Sequence, residues 1–80
     1  MLKPGTMITI GHGVLLFKGF ELTDFDEVGE APRGSTFTIL EVENVDKHAE
    51  EMFVGLRVIY DDGVYVIHVR HENIEILTPD

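Results

Sequence analysis

Apolar and polar positions alternate most regularly in residues 53–77, which read FVGLRVIYDDGVYVIHVRHENIEIL. Two runs rich in β-branched and aromatic residues meet at Asp62-Gly63, a dipeptide typical of two-residue type I′ turns in which glycine takes the positive φ. Counting outward from this turn places Tyr60 opposite Tyr65. The pattern predicts an antiparallel hairpin, because one face then carries only apolar side chains. That face comprises Leu56, Val58, Tyr60, Tyr65, Ile67 and Val69.

The opposite face of the predicted hairpin carries Arg57, Ile59, Val66 and His68. Ile59 and Val66 are predicted to be exposed there. Small β-domains often bury such an apolar stripe by self-association. We therefore expect Ile59 and Val66 to form an oligomer interface, with cover by the N-terminal strand as the alternative.

Apolar runs before the hairpin predict further strands. Residues 6–10 form the first of these strands. Gly11-His12-Gly13 then makes either a turn or a bulge. Val14–Lys18 is accordingly either a second strand or a continuation of the first. Residues 35–45 form another strand, whose two faces are both apolar near its centre. This pattern predicts either cover on both sides or a bulge at Ile39-Leu40. We expect Glu41 and Glu43 to lie together on the face of Phe37.

The connections between these strands differ in length and composition. Residues 19–34 are acidic and irregular, and their sixteen positions exceed the usual connection of about 4–6 residues, so this segment is predicted to be a long loop. Residues 44–52 are predicted to be a loop with one turn of helix. His71–Asn73 is predicted to be a polar turn of 3₁₀ type, before a last strand at residues 74–77.

The predicted order is strand, long loop, strand, connection, hairpin, short turn and strand, within one all-β domain that spans residues 1–80. This order resembles a small five-stranded SH3-like barrel, in which residues 19–34 take the place of the RT loop and His71–Asn73 that of the 3₁₀ turn. The chain has no tryptophan and six lysines and arginines in total, so the resemblance to peptide-binding SH3 domains and to basic KOW domains is one of architecture. An OB-like five-stranded barrel is the alternative.

Charge narrows the classes of partner. Fifteen acidic and six basic residues give a formal net charge of −9, and residues 20–51 alone hold ten of the acids with two bases. Such a surface repels phosphate backbones and attracts basic proteins, so we expect no direct binding to nucleic acid. The alternative is that the acidity only keeps a small protein soluble.

Other features bear on the compartment. The chain has no cysteine, which suits a reducing cytosol. It also lacks a signal-like apolar region and any apolar run near the ~20 residues that span a bilayer. We therefore expect a cytoplasmic protein with no membrane contact.

Motifs with candidate chemistry each have a simpler interpretation. His68 and His71 are three apart on a strand and so point to opposite faces, where they cannot share a metal. His12 between two glycines could display an imidazole, but no nucleophile motif accompanies it. Asp61-Asp62-Gly63 is far shorter than a calcium-binding EF-hand loop and is expected to be only a turn. We expect no catalytic residue, no metal site and no cofactor, with weak divalent-cation binding by the carboxylates of residues 24–30 as the alternative.

Interleaved acidic and aromatic residues are the strongest candidate for a binding site, because interfaces combine charge steering with apolar anchors. The predicted partner-binding residues are Glu21, Asp24, Phe25, Asp26, Glu27, Glu30, Glu41 and Glu43. They predict a non-enzymatic module that binds a basic protein, for example a nucleic-acid-binding enzyme. In size and charge the chain resembles phage-encoded inhibitors that mimic nucleic acid. The alternative is a structural subunit of an oligomeric or virion assembly.

Overall fold

The computed structural model describes residues 2–19, 26–42 and 53–77. Strands account for most of these residues, and a single turn of 3₁₀ helix is the other regular element in these ranges, so the all-β prediction is confirmed. The strands are β1 (Met7–Ile10), β2 (Val14–Lys18), β3 (Glu27–Ala31), β4 (Thr36–Val42), β5 (Phe53–Tyr60), β6 (Gly63–Arg70) and β7 (Ile74–Ile76), and the 3₁₀ turn is His71–Asn73.

All seven strands join one antiparallel sheet in the order β3-β2-β6-β5-β4-β1-β7. The outermost strands of the described sheet, β3 and β7, do not pair with each other, so the sheet is open. The described sheet has seven strands and does not close, so the prediction of a five-stranded barrel is wrong in strand number. The structure is compatible with a small barrel-like β-fold only in the broad sense of a sheet folded around one core.

Two segments account for the additional strands. The Gly11-His12-Gly13 turn separates two distinct strands, because β1 pairs with β4 and β7 while β2 pairs with β6 and β3. β3 lies inside the segment that was predicted to be a loop. Its sequence, EVGEA, has weak strand propensity, and it is extended because it pairs with β2, placing Ala31 opposite Val14 in the core.

The hairpin forms as predicted, but its turn lies one residue earlier. Asp61 and Asp62 are the turn residues, with φ of 49° and 65°, and Gly63 is the first residue of β6. Tyr60 consequently pairs with Gly63 instead of Tyr65. Each β5 residue thus pairs with a β6 residue two positions earlier than the predicted partner. Side chains alternate between faces with a period of two, so this shift leaves every side chain on its predicted face.

The bulge in β4 is confirmed. Ile39 pairs with Val58 and Glu41 with the next β5 residue, Arg57, which leaves Leu40 as the extra, 37% exposed residue. The bulge turns Glu41 to the face opposite Phe37, so the expectation that Glu41 shares the Phe37 face is wrong. Glu43, like the helical turn predicted in residues 44–52, lies outside the described residues.

Within the described ranges, one apolar core lies on one face of the sheet. Its buried residues are Ile8, Ile10, Val14, Leu16, Ala31, Phe37, Ile39, Val54, Leu56, Val58, Ile67 and Val69. The 3₁₀ turn and the last strand are where the sequence predicts them, and Ile74 of β7 packs against this core. We call the sheet face opposite the core the outer face.

Val66 corrects one expectation about the outer face. It lies opposite Phe17 of β2 and Arg57 of β5, and it is 0% exposed in the single chain. Val66 therefore offers no surface to a second subunit. Ile59, its predicted companion at an oligomer interface, is 41% exposed.

The position of the hairpin turn gives a stability prediction. Replacing Asp61-Asp62 with Asn-Gly should raise the free energy of unfolding by about 1 kcal/mol. Asparagine and glycine adopt positive φ angles more readily than aspartate does, and the change also removes two adjacent negative charges. Urea unfolding followed by circular dichroism measures the change. Asp61→Ala with Asp62→Ala is the control and should lower stability. Equal stability of the two variants would contradict the turn position.

Candidate interaction surface

The predicted acidic site is only partly within the described residues. Glu21, Asp24, Phe25 and Glu43 lie outside them, whereas Asp26, Glu27, Glu30 and Glu41 are described and exposed. Glu27 and Glu30 lie on the edge strand β3. Glu41 lies on β4, and β2, β6 and β5 separate it from β3, which corresponds to about 19 Å along the sheet at ~4.8 Å per strand. The structure does not gather these four acids into one cluster.

Ion pairs reduce the charge that some of these acids can offer. Glu41 Oε1 lies 2.7 Å from Arg57 Nη2, and Asp26 Oδ2 lies 3.9 Å from Lys18 Nζ. Both pairs are substantially exposed, so each contributes little to stability. Glu27 and Glu30 form no ion pair with any other described residue.

Three further carboxylates belong to the exposed charge, and the sequence prediction of the site missed them. Asp61 and Asp62 were assigned only to a turn, and Glu75 was taken as part of the last strand. All three are exposed and make no ion pair within the described ranges. Strand alternation in Ile74-Glu75-Ile76 is the sequence signal that could have identified Glu75 as outward-facing.

His12 contacts residues of two different turns. Its Nδ1 atom lies 3.0 Å from the Gly13 carbonyl oxygen, and the Asn73 amide nitrogen lies 2.6 Å from Nε2. The tautomer with its proton on Nδ1 makes both contacts, donating from Nδ1 and accepting at Nε2. With the bond from the Gly11 N–H to the Asn73 carbonyl, at 2.8 Å, they join the turn before β2 to the 3₁₀ turn.

The described residues contain no group of three or more His, Asp or Glu side chains placed to hold a metal ion. A groove of ≈520 Å³ lies between the ends of β2, β3 and β6, lined by Lys18, Gly19, Val28, Val64 and Tyr65. Its lining is mainly apolar and carries one charged group, Lys18. Small-molecule sites usually combine an apolar wall with several convergent polar groups, so this groove is better suited to an apolar side chain than to a polar ligand.

Comparison of the chain with known protein families, with curated proteins and with solved structures gives no significant match. Within the ranges that the structure describes, no helix has the length and apolar character needed to cross a bilayer.

Proposed function

We propose that this protein is a non-enzymatic interaction module that binds a basic partner protein. The observation that carries the proposal is an excess of exposed negative charge that internal ion pairs do not neutralise. The formal net charge is −9. Within the described ranges, five exposed carboxylates make no ion pair, namely Glu27, Glu30, Asp61, Asp62 and Glu75.

Charge of this kind acts mainly on association. A negative domain raises the encounter rate with a basic protein and suppresses encounters with anionic partners such as nucleic acid. A sharper form of the proposal is that the protein occludes a nucleic-acid-binding enzyme by presenting carboxylates in place of phosphates. The charge balance of the chain supports that form.

Salt-dependent capture tests the proposal. Immobilised protein should retain basic proteins from a cell lysate at ~0.05 M salt and release them before ~0.5 M, where the Debye length falls to about 4 Å. A variant carrying Glu27→Gln, Glu30→Gln and Glu75→Gln should release the same proteins at lower salt. Retention that does not change up to ~0.5 M salt would contradict a charge-driven interaction.

A structural subunit is the second candidate function, and the open sheet favours it. β3 and β7 are edge strands of the described sheet, and edge strands can pair with strands of another chain. Sedimentation at micromolar concentration distinguishes the candidates, because a strict monomer removes the subunit hypothesis.

A further inference from the structure

Four exposed apolar side chains form a row across the outer face of the sheet. The strand registers place Met7 opposite Thr38, Thr38 opposite Ile59, and Ile59 opposite Val64. At the β7 end, the Leu77 N–H donates to the Met7 carbonyl at 2.8 Å, which extends the row by one strand. We call Leu77, Met7, Ile59 and Val64 the apolar row. Their exposures are 46%, 42%, 41% and 47%.

The apolar row is long enough for a specific contact. It crosses five neighbouring strands, which is about 19 Å along the sheet at ~4.8 Å per strand, and the polar residue Thr38 lies between Met7 and Ile59. Aligned exposed apolar side chains of this extent mark interaction surfaces more often than single exposed residues do. At the β6 end, Val64 also lines the apolar groove described above, so the apolar surface continues towards Val28.

Acidic residues border the apolar row on one side. The next row on the outer face runs from Glu75 through Thr9 to Thr36, and it ends beside the hairpin turn at Asp61 and Asp62. Carboxylates that make no ion pair within the described residues therefore lie near both ends of this border. On the other side of the apolar row, the acid Glu41 is paired with Arg57 at 2.7 Å, so that border is close to neutral.

We infer that the apolar row is the docking surface for a cationic amphipathic helix of another protein. This inference rests on the proposed function and names the surface and the partner chemistry. Apolar side chains of the helix lie along the row, while lysines or arginines on one flank face the acidic border. At 1.5 Å per residue, about 13 residues of helix match the row. A second copy of this chain fits the border poorly, because it brings a net charge of −9 and the same carboxylates.

Binding of a defined peptide tests the inference. The probe is a fluorescein-labelled, helix-forming peptide of 14 residues, with leucines at i, i+3, i+4 and i+7 spacing and lysines elsewhere, measured by anisotropy at 0.15 M salt. Ile59→Thr should raise the Kd at least fivefold. Leu15→Thr is the matched control, because Leu15 is also 41% exposed but lies outside the row, and it should change the Kd less than twofold. Threonine keeps strand propensity at both positions.

A second pair of variants tests the acidic border. Asp61→Asn with Asp62→Asn should weaken binding at least threefold, and more than Glu27→Gln with Glu30→Gln on the distant β3 edge. Circular dichroism checks that each variant is folded. If Ile59→Thr does not fold, Val64→Thr takes its place in the peptide-binding experiment. A control peptide with serine in place of every leucine should lose most of its affinity.

Three outcomes would overturn the inference. Absence of peptide binding at 100 µM is one. Equal losses of peptide affinity for Ile59→Thr and Leu15→Thr are another. In that case the proposed function survives if capture of basic proteins from a lysate remains salt-sensitive. A dimer in sedimentation equilibrium that Ile59→Thr dissociates would assign the row to a second copy of the chain.

Discussion

Replacing Phe37 with alanine should lower the free energy of unfolding by about 3–5 kcal/mol, the usual loss for a fully buried phenylalanine. Phe37 is 0% exposed and is the largest fully buried side chain of the core. Its ring centroid lies 5.0 Å from that of Tyr60, so truncation removes an aromatic contact and leaves a cavity. A domain of 80 residues is typically stable by about 4–12 kcal/mol, so the variant should lose a large share of its stability. Guanidinium unfolding followed by circular dichroism measures the loss.

Phe53→Ala is the matched control for this experiment. Phe53 is 41% exposed, and its ring lies 5.2 Å from the guanidinium carbon of Arg70. Phe53→Ala should lower the free energy of unfolding by about 1 kcal/mol, since exposed cation–π contacts contribute little. Similar losses for both variants would show that Phe37 is not at the centre of the core.

Replacing Gly19 with alanine should destabilise the protein by about 2–3 kcal/mol, as overpacking commonly does. A Cβ atom at Gly19 would lie 2.5 Å from the carbonyl oxygen of Val64 and 2.7 Å from its carbonyl carbon. These are backbone atoms of β6, so the added methyl group cannot be accommodated by rotating a side chain. β2 must move away from β6, which weakens the pairing that joins β2 and β3 to the rest of the sheet. Thermal and denaturant unfolding measure this effect.

Gly29→Ala is the control for the close approach. A Cβ atom there would have Leu16 Cδ1 as its nearest neighbour, at 3.8 Å, which is an ordinary contact. Alanine also reduces the entropy of the unfolded chain, so stability should stay within about 0.5 kcal/mol or rise. If Gly29→Ala lowers the free energy of unfolding as much as Gly19→Ala does, the effect at Gly19 comes from replacing any strand glycine and not from contact with Val64.

The candidate surface shows why its charge was predictable and its position was not. The count of acids follows from composition, and Glu27 and Glu30 were predicted as binding residues because acidic and apolar residues are interleaved there. The apolar row was not predictable, because Met7, Ile59 and Leu77 come from three distant parts of the chain. Their alignment depends on which strands pair and in which register.

What the sequence by itself determined is which side chains of each strong strand face the core. In the hairpin, Leu56 and Ile67 are fully buried as predicted, because the alternation of apolar and polar residues has the period of a strand. The bulge at Ile39-Leu40 was predictable for the same reason, since a change of face interrupts that alternation.

Only the tertiary structure decided the turn position, the strand β3 and the burial of Val66. A register shift of two residues keeps every hairpin side chain on its face, so the apolar pattern could not choose between Asp61-Asp62 and Asp62-Gly63 as the turn. β3 has weak strand propensity and is extended because it pairs with β2. Val66 has the local pattern of an exposed residue and is buried where β2 pairs with β6. Each of these outcomes depends on contacts between residues far apart in the chain, which local patterns do not encode.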